Sequence, residues 1–262
     1  MKNLRIVSLL LAVLLILGLF AGCGPKNEIP DDPDDPDPQT EGTKREDFVI
    51  VMQADLETFD PRGSMNISSC PVFTTLYARL FVRDNGEFIN ALGTSFDPID
   101  DTTVHIKIRT DWKYSDGSTI TAEDVAYSIS QVAANPKFSA MFSTVVNAEK
   151  VDEETVQINL SGPAPSLKLA LTHSGASILP QWFCEQQEAS GAWDGSLSSG
   201  PYMLGERVIG EYTKVIRNPY WPDDQIPELP CANKSLTFRF VPEGATRTIL
   251  VESGEADINQ FF

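Results

Sequence analysis

Two histidines and four cysteines are the scarce reactive groups of this 262-residue chain: His105, His173, Cys23, Cys70, Cys184 and Cys231. A nucleophile–base pair needs a histidine beside a Ser or Cys, with a third group orienting the ring. His105 falls on the polar face of an alternating, strand-like stretch, and no Ser, Cys or Asp motif is spaced to pair with His173. A zinc site would show CxxC or clustered Cys and His, and neither spacing occurs. Carboxylate pairs suited to acid–base work are everywhere among 37 Asp and Glu residues, so they single out no position. The phosphate-cradling GxxxxGK[ST] is absent. The residues predict a protein without catalytic machinery, metal or cofactor.

Charge narrows the partners. Against those 37 acids stand 20 Lys and Arg, a formal net charge of −17. So acidic a surface argues against nucleic acid, whose phosphates need basic groups.

The amino terminus carries a different chemistry. Lys2 and Arg5 precede an apolar run over residues 6–21 that ends at Gly22-Cys23-Gly24. The run is shorter than the roughly 20 residues of a spanning helix and reads as an export signal over residues 1–22. Phe20-Ala21-Gly22-Cys23 resembles a bacterial lipobox, with Phe20 where Leu is commoner. Cys23 is therefore expected to become a lipidated N-terminus, anchoring the protein to a membrane at about 0.8 kcal/mol per buried CH₂. Residues 23–47 then form an acidic, Pro-rich tether; its repeated Asp-Asp-Pro has no apolar side chains to bury. The remaining cysteines are odd in number, which excludes a disulfide framework. A single Cys184–Cys231 bridge and three free thiols both stay open.

The elements that must position any site follow from periodicity. Val104, Ile106 and Ile108 alternate with polar residues, as do Val156, Ile158 and Leu160, and Leu236, Phe238 and Phe240, predicting strands. Residues 48–52 are continuously apolar, as in a strand buried on both faces. Helices are predicted at about 72–81, 122–133, 180–189 and 245–253, the last closed by Gly254. The sharpest local pattern is residues 113–128, KYSDGSTITAEDVAYS. It predicts a strand, a tight turn using positive φ at Gly117, and a helix capped by Thr121 with Asp124 as its capping-box partner.

That same stretch resembles the signature of the extracellular solute-binding proteins of peptide and nickel ABC importers (family 5), which pairs "W-SDG" with "TAEDV". Five further segments resemble the family in order. Residues 56–61 are similar to its "LDP" entry, and residues 76–96 to "LFEPLVxxD.G….ALAESW". Ser199-Gly200-Pro201-Tyr202 is similar to "GTGPY", with Ser199 in place of Thr. Residues 217–221 are similar to "RNPxYW", and residues 245–258 to "ATR…SGEVDI". The resemblance covers residues 48–262 and implies an α/β, type II periplasmic-binding-protein-like lobe with a mixed sheet and an inserted smaller subdomain at about 69–161. It further implies that the second lobe and a returning segment are missing from this chain. A peptide ligand and ABC permease subunits are the implied partners. In peptide-binding members the segment before "LDP" lies beside the peptide, so Asp55, Leu56 and Glu57 are the implied ligand-proximal positions. Ser199 and Gly200 are expected to edge the same cleft, while Tyr202, Trp112 and Trp221 read as packing. With one wall supplied, the chain alone is expected to bind peptide weakly. A nickel-binding member and a surface lipoprotein acting as an adhesion or scaffold module are the alternative readings.

Overall fold

Along residues 48–52 apolar side chains point alternately to opposite faces, so the strand they form needs cover on both sides. The computed structural model describes residues 46–229 and 231–260. Its elements begin with β1 (Asp47–Met52), α1 (Cys70–Leu76), β2 (Phe81–Asp84), β3 (Glu87–Asn90), β4 (Asp97–Asp100), β5 (Thr103–Lys107) and α2 (Ala122–Ala134). There follow α3 (Ser139–Phe142), β6 (Val145–Lys150), β7 (Thr155–Leu160), α4 (Leu167–Ala170) and α5 (Gln181–Ser190). The last are β8 (Tyr202–Val208), β9 (Tyr212–Arg217), β10 (Ser235–Phe240), α6 (Gly244–Glu252) and β11 (Ile258–Asn259).

The strands form a mixed five-stranded sheet in the order β11-β1-β10-β9-β8, an antiparallel four-stranded sheet in the order β4-β5-β7-β6, and the β2-β3 hairpin. β1 runs parallel to both β10 and β11, with Ile50 opposite Phe238 on one side and Ile258 on the other. Phe48, Ile50 and Met52 face the main core, together with Leu236, Phe238 and Phe240 of β10. Val49 and Val51 face a smaller cluster with Val241, Leu250 and Ala256, the cover supplied around α6. Both faces are thus apolar, as the continuous run predicts. Arg247 of α6 ties the layers together: Nη1 donates to the carbonyls of Val241 and Pro242 at 2.7 and 2.8 Å, and Nε donates to Asn259 at 3.2 Å.

α2 forms as predicted. Thr121 Oγ1 accepts from the Asp124 N–H at 3.2 Å, and the Asp124 carboxylate accepts from the Thr121 N–H at 2.9 Å. Two orphan amide donors are thereby satisfied, and Val125, Ile129 and Val132 are fully buried against the second sheet. Gly117 takes φ +87° in the turn before it. The strand expected ahead of that turn is only a bridge between Lys113 and Thr119. Gly254, at φ +76°, follows the last turn of α6 as expected.

The helix expected over 72–81 is corrected: it ends at Leu76, and Phe81 already opens β2. The cause is tertiary. The Leu76 carbonyl accepts from the N–H groups of Ser199 and Gly200, Tyr77 turns extended, and the Ala78 N–H donates to Ser199 Oγ. Likewise the three cysteines among the described residues are free thiols, so Cys184 and Cys231 are not bridged. The export signal, Cys23 and the tether up to residue 45 lie outside the described residues, while Asp47, expected to close the tether, already opens β1. Among the described residues no helix is long and apolar enough to cross a membrane.

Candidate ligand-binding site

The parallel pairing of β1 with β10 brings their carboxyl ends together, Met52 opposite Phe240. Such strand ends are where α/β sheets offer open main-chain groups to ligands. Beyond Met52 the chain leaves the sheet through Gln53 and Ala54. Among the described residues, no hydrogen bond reaches the main-chain N–H or C=O of either.

The three residues that follow are held firmly. The Asp55 carboxylate accepts from the Gly210 N–H at 2.8 Å and pairs with Arg207 at 3.4 Å, clipping the strand end to the β8–β9 hairpin. Leu56 sends its side chain into the core, and its carbonyl accepts from Arg207 at 2.6 Å. Glu57 is exposed, and its carboxylate accepts from Ser64 Oγ at 3.1 Å. Arg207 also lies over the Phe59 ring at 5.0 Å, which fixes the guanidinium from a third side.

Ser199 and Gly200 are placed differently. Ser199 is 1% exposed, and its hydroxyl donates to the Ile178 carbonyl at 2.7 Å while accepting from the Ala78 N–H. A Cβ on Gly200 would stand 2.7 Å from the Leu76 and Tyr77 main chain, so only glycine fits this approach. The Gly200 carbonyl accepts from Asn218 Nδ2 at 2.9 Å. The Ser115 N–H donates to the Ser198 carbonyl at 2.8 Å. Trp112 and Trp221 meet at a ring-centroid distance of 4.9 Å, and Trp112 Nε1 donates to Gln225 at 2.8 Å. The SDG turn, the loop around Gly200 and the Asn218 segment therefore form one interior seam.

A cavity of about 470 Å³ opens beside α1, walled by Thr74, Met141, Leu169 and Ala170 and carrying Arg79 and His173. Arg79 Nη1 donates to the Thr172 carbonyl at 2.8 Å. Its Nε is shut off from water and has no partner, and no carboxylate pairs with it among the described residues. Burial pulls the guanidinium down to about 10. The His173 ring stands edge-on to Phe138 at 5.5 Å, and Nδ1 accepts from the Gly175 N–H at 3.0 Å. Burial first, and the Arg79 charge second, hold His173 below its ordinary value. His105 lies elsewhere, bonded to Gln157 at 3.0 Å across β5 and β7. Among the described residues no three His, Cys, Asp or Glu side chains are grouped to hold a metal. Sequence reasoning missed Arg79. The available signal was one basic residue in the apolar run from Leu76 to Phe81 with no acid in it.

Comparison with known proteins agrees with this architecture. Residues 87–262 match the family model "Bacterial extracellular solute-binding proteins, family 5 Middle". The chain is 25% identical over 223 residues to the probable D,D-dipeptide-binding periplasmic protein DdpA of Escherichia coli, covering 80% of this chain and 42% of that protein. It is 28% identical over 218 residues to the glutathione-binding protein GsiB of Pectobacterium atrosepticum, covering 80% and 41%. It thus spans about two fifths of the length of these relatives. Among solved structures, OppA of Burkholderia pseudomallei superposes with a TM-score of 0.72 at 17% identity, over 82% of this chain and 46% of that one. Haemophilus influenzae OppA, solved with the peptide RPPGFSPFR, gives 0.71 at 23%, over 81% and 45%. At these identities the superpositions establish the fold, that of a type II periplasmic binding protein. With two thirds of its length matched by the family model, the chain belongs to the bacterial extracellular solute-binding proteins, family 5.

Proposed function

We propose that this chain supplies one wall of the solute site in the substrate-binding component of an ABC importer, with oligopeptides or dipeptides as the solute. The observation that carries the reading is the main chain of Gln53 and Ala54 at the carboxyl end of a buried parallel strand, which takes no hydrogen bond among the described residues. Main-chain groups of that kind take an extended peptide by strand addition, with affinity that tolerates many side chains. Asp55 and Leu56 hold the strand end in place, and Glu57 is the side chain nearest to meeting the ligand. Ser199 and Gly200 act on the same wall from inside, by setting where α1 ends. Family membership and relatives named for dipeptide and glutathione binding support this class of solute. The four-stranded sheet and its flanking helices, about 69–161, are the subdomain inserted into this wall. Cys23 carries a lipid that holds the protein at the outer face of the membrane, near the permease.

One wall buries less of a ligand than the 70–90% typical of a closed site, so binding by this chain is weak. The test is a titration with a tripeptide followed by amide NMR. Shifts clustered at residues 53–57 at millimolar peptide are expected; their absence at saturating peptide sinks the proposal. For the anchor, Cys23→Ala is expected to move the protein from the membrane fraction to the soluble one.

A further inference from the structure

We infer that the cavity beside α1 binds a small organic carboxylate, with Arg79 holding the acid group and Met141, Leu169 and Ala170 receiving the apolar part. Its volume, about 470 Å³, lies within the range of small-molecule sites. A smaller hollow that also touches Arg79, about 130 Å³, lies below that range. Among the described residues no Asp or Glu lines the larger cavity. Its polar groups include one guanidinium, one imidazole and the hydroxyls of Thr74, Ser166, Thr172 and Ser174.

Arg79 is the decisive group. A guanidinium presents five donors and no acceptor, and here a single main-chain carbonyl at 2.8 Å is its one hydrogen-bond partner among the described residues. The residue is half-buried and its Nε is shut off from water, so part of the charge lacks both solvent and a counter-charge. A ligand carboxylate removes that deficit, because charge-assisted bonds to a guanidinium are about twice as strong as neutral ones. His173 adds a second donor. Its Nδ1 is occupied in accepting from Gly175, so the neutral ring keeps its proton on Nε2. One cation and mostly apolar walls suit a singly charged carboxylate better than a phosphate. The inference rests on the cavity alone and stands whether or not peptide binds at Gln53 and Ala54.

The probes are N-acetyl-leucine and N-acetyl-leucinamide, which differ in one charge. Each is titrated into the full chain while the Met141 methyl signal is followed by NMR. The acid is expected to bind at least about tenfold tighter than the amide, the size of one charge-assisted bond. Arg79→Gln is expected to erase that gap. Equal affinities, or a gap that survives Arg79→Gln, overturn the inference. Arg79→Met provides a readout independent of ligand: a melting temperature equal to or above that of the parent is expected, whereas a fall of several degrees marks Arg79 as structural. Failure here with tripeptide shifts still present at residues 53–57 leaves the receptor reading intact, and the converse result separates them the other way.

Discussion

The interior seam around Gly200 and the cavity beside α1 both adjoin one short helix, and they use their polar groups in opposite ways. In the seam, Ser199 and Asn218 spend their side chains on the main chain of neighbouring segments, and Arg217 is paired with Asp223. Ser198 Oγ and Trp221 Nε1 lack partners there but are neutral, and Asp223 Oδ1 lacks one on a carboxylate whose other oxygen is paired with Arg217. In the cavity the group left over is a guanidinium with no carboxylate beside it among the described residues. The comparison teaches that the segments most recognisable as letters are those that close the fold, because close backbone approach tolerates few residues. The group with binding capacity left over, Arg79, lies within the family-like segment 76–96, yet no letter of that segment marks its missing counter-charge.

The sharpest way to break this contrast is Gly200→Ala. With its Cβ 2.7 Å from backbone atoms, the overpacking is expected to cost about 3 kcal/mol in a urea melt. A cost near zero would mean the seam is loose. Ser199→Ala strips a donor from Ile178 and an acceptor from Ala78, both buried, and about 2 kcal/mol of stability should go with it. Thr121→Ala removes the cap of α2, worth about 1 kcal/mol, and an unchanged melting curve would contradict the capping box.

The smallest effect belongs to the cavity. His173 is held below its ordinary 6.5 by burial and then by Arg79, so the unfolded chain takes up the proton at a higher pH than the folded protein. Stability from the neutral ring is therefore present above about pH 6.5 and declines as the pH falls below it toward the folded value. Arg79 and the Cys70 thiol are the other ionisable groups of this cavity. His173→Gln should flatten the acid-side slope of the melting temperature between neutrality and the onset of carboxylate titration. An unchanged slope removes His173 from the cavity's electrostatics.

Much of the fold was legible beforehand. The alternation in β5, β7 and β10, the two-faced apolar run of β1 and the cap of α2 depend on contacts within a few residues, which is the range over which periodicity informs. The site was less legible. Asp55 and Glu57 were readable as positions, but not that their carboxylates would be taken by Gly210 and Ser64.

By itself the sequence determined the class of the molecule, since six ordered segments and a set of locally favoured elements agree on one architecture. Tertiary structure alone decided where α1 stops, because the groups that end it arrive from more than a hundred residues away. It alone also decided that Arg79 meets no carboxylate among the described residues. A missing partner is a property of three-dimensional surroundings, and no spacing along the chain encodes it.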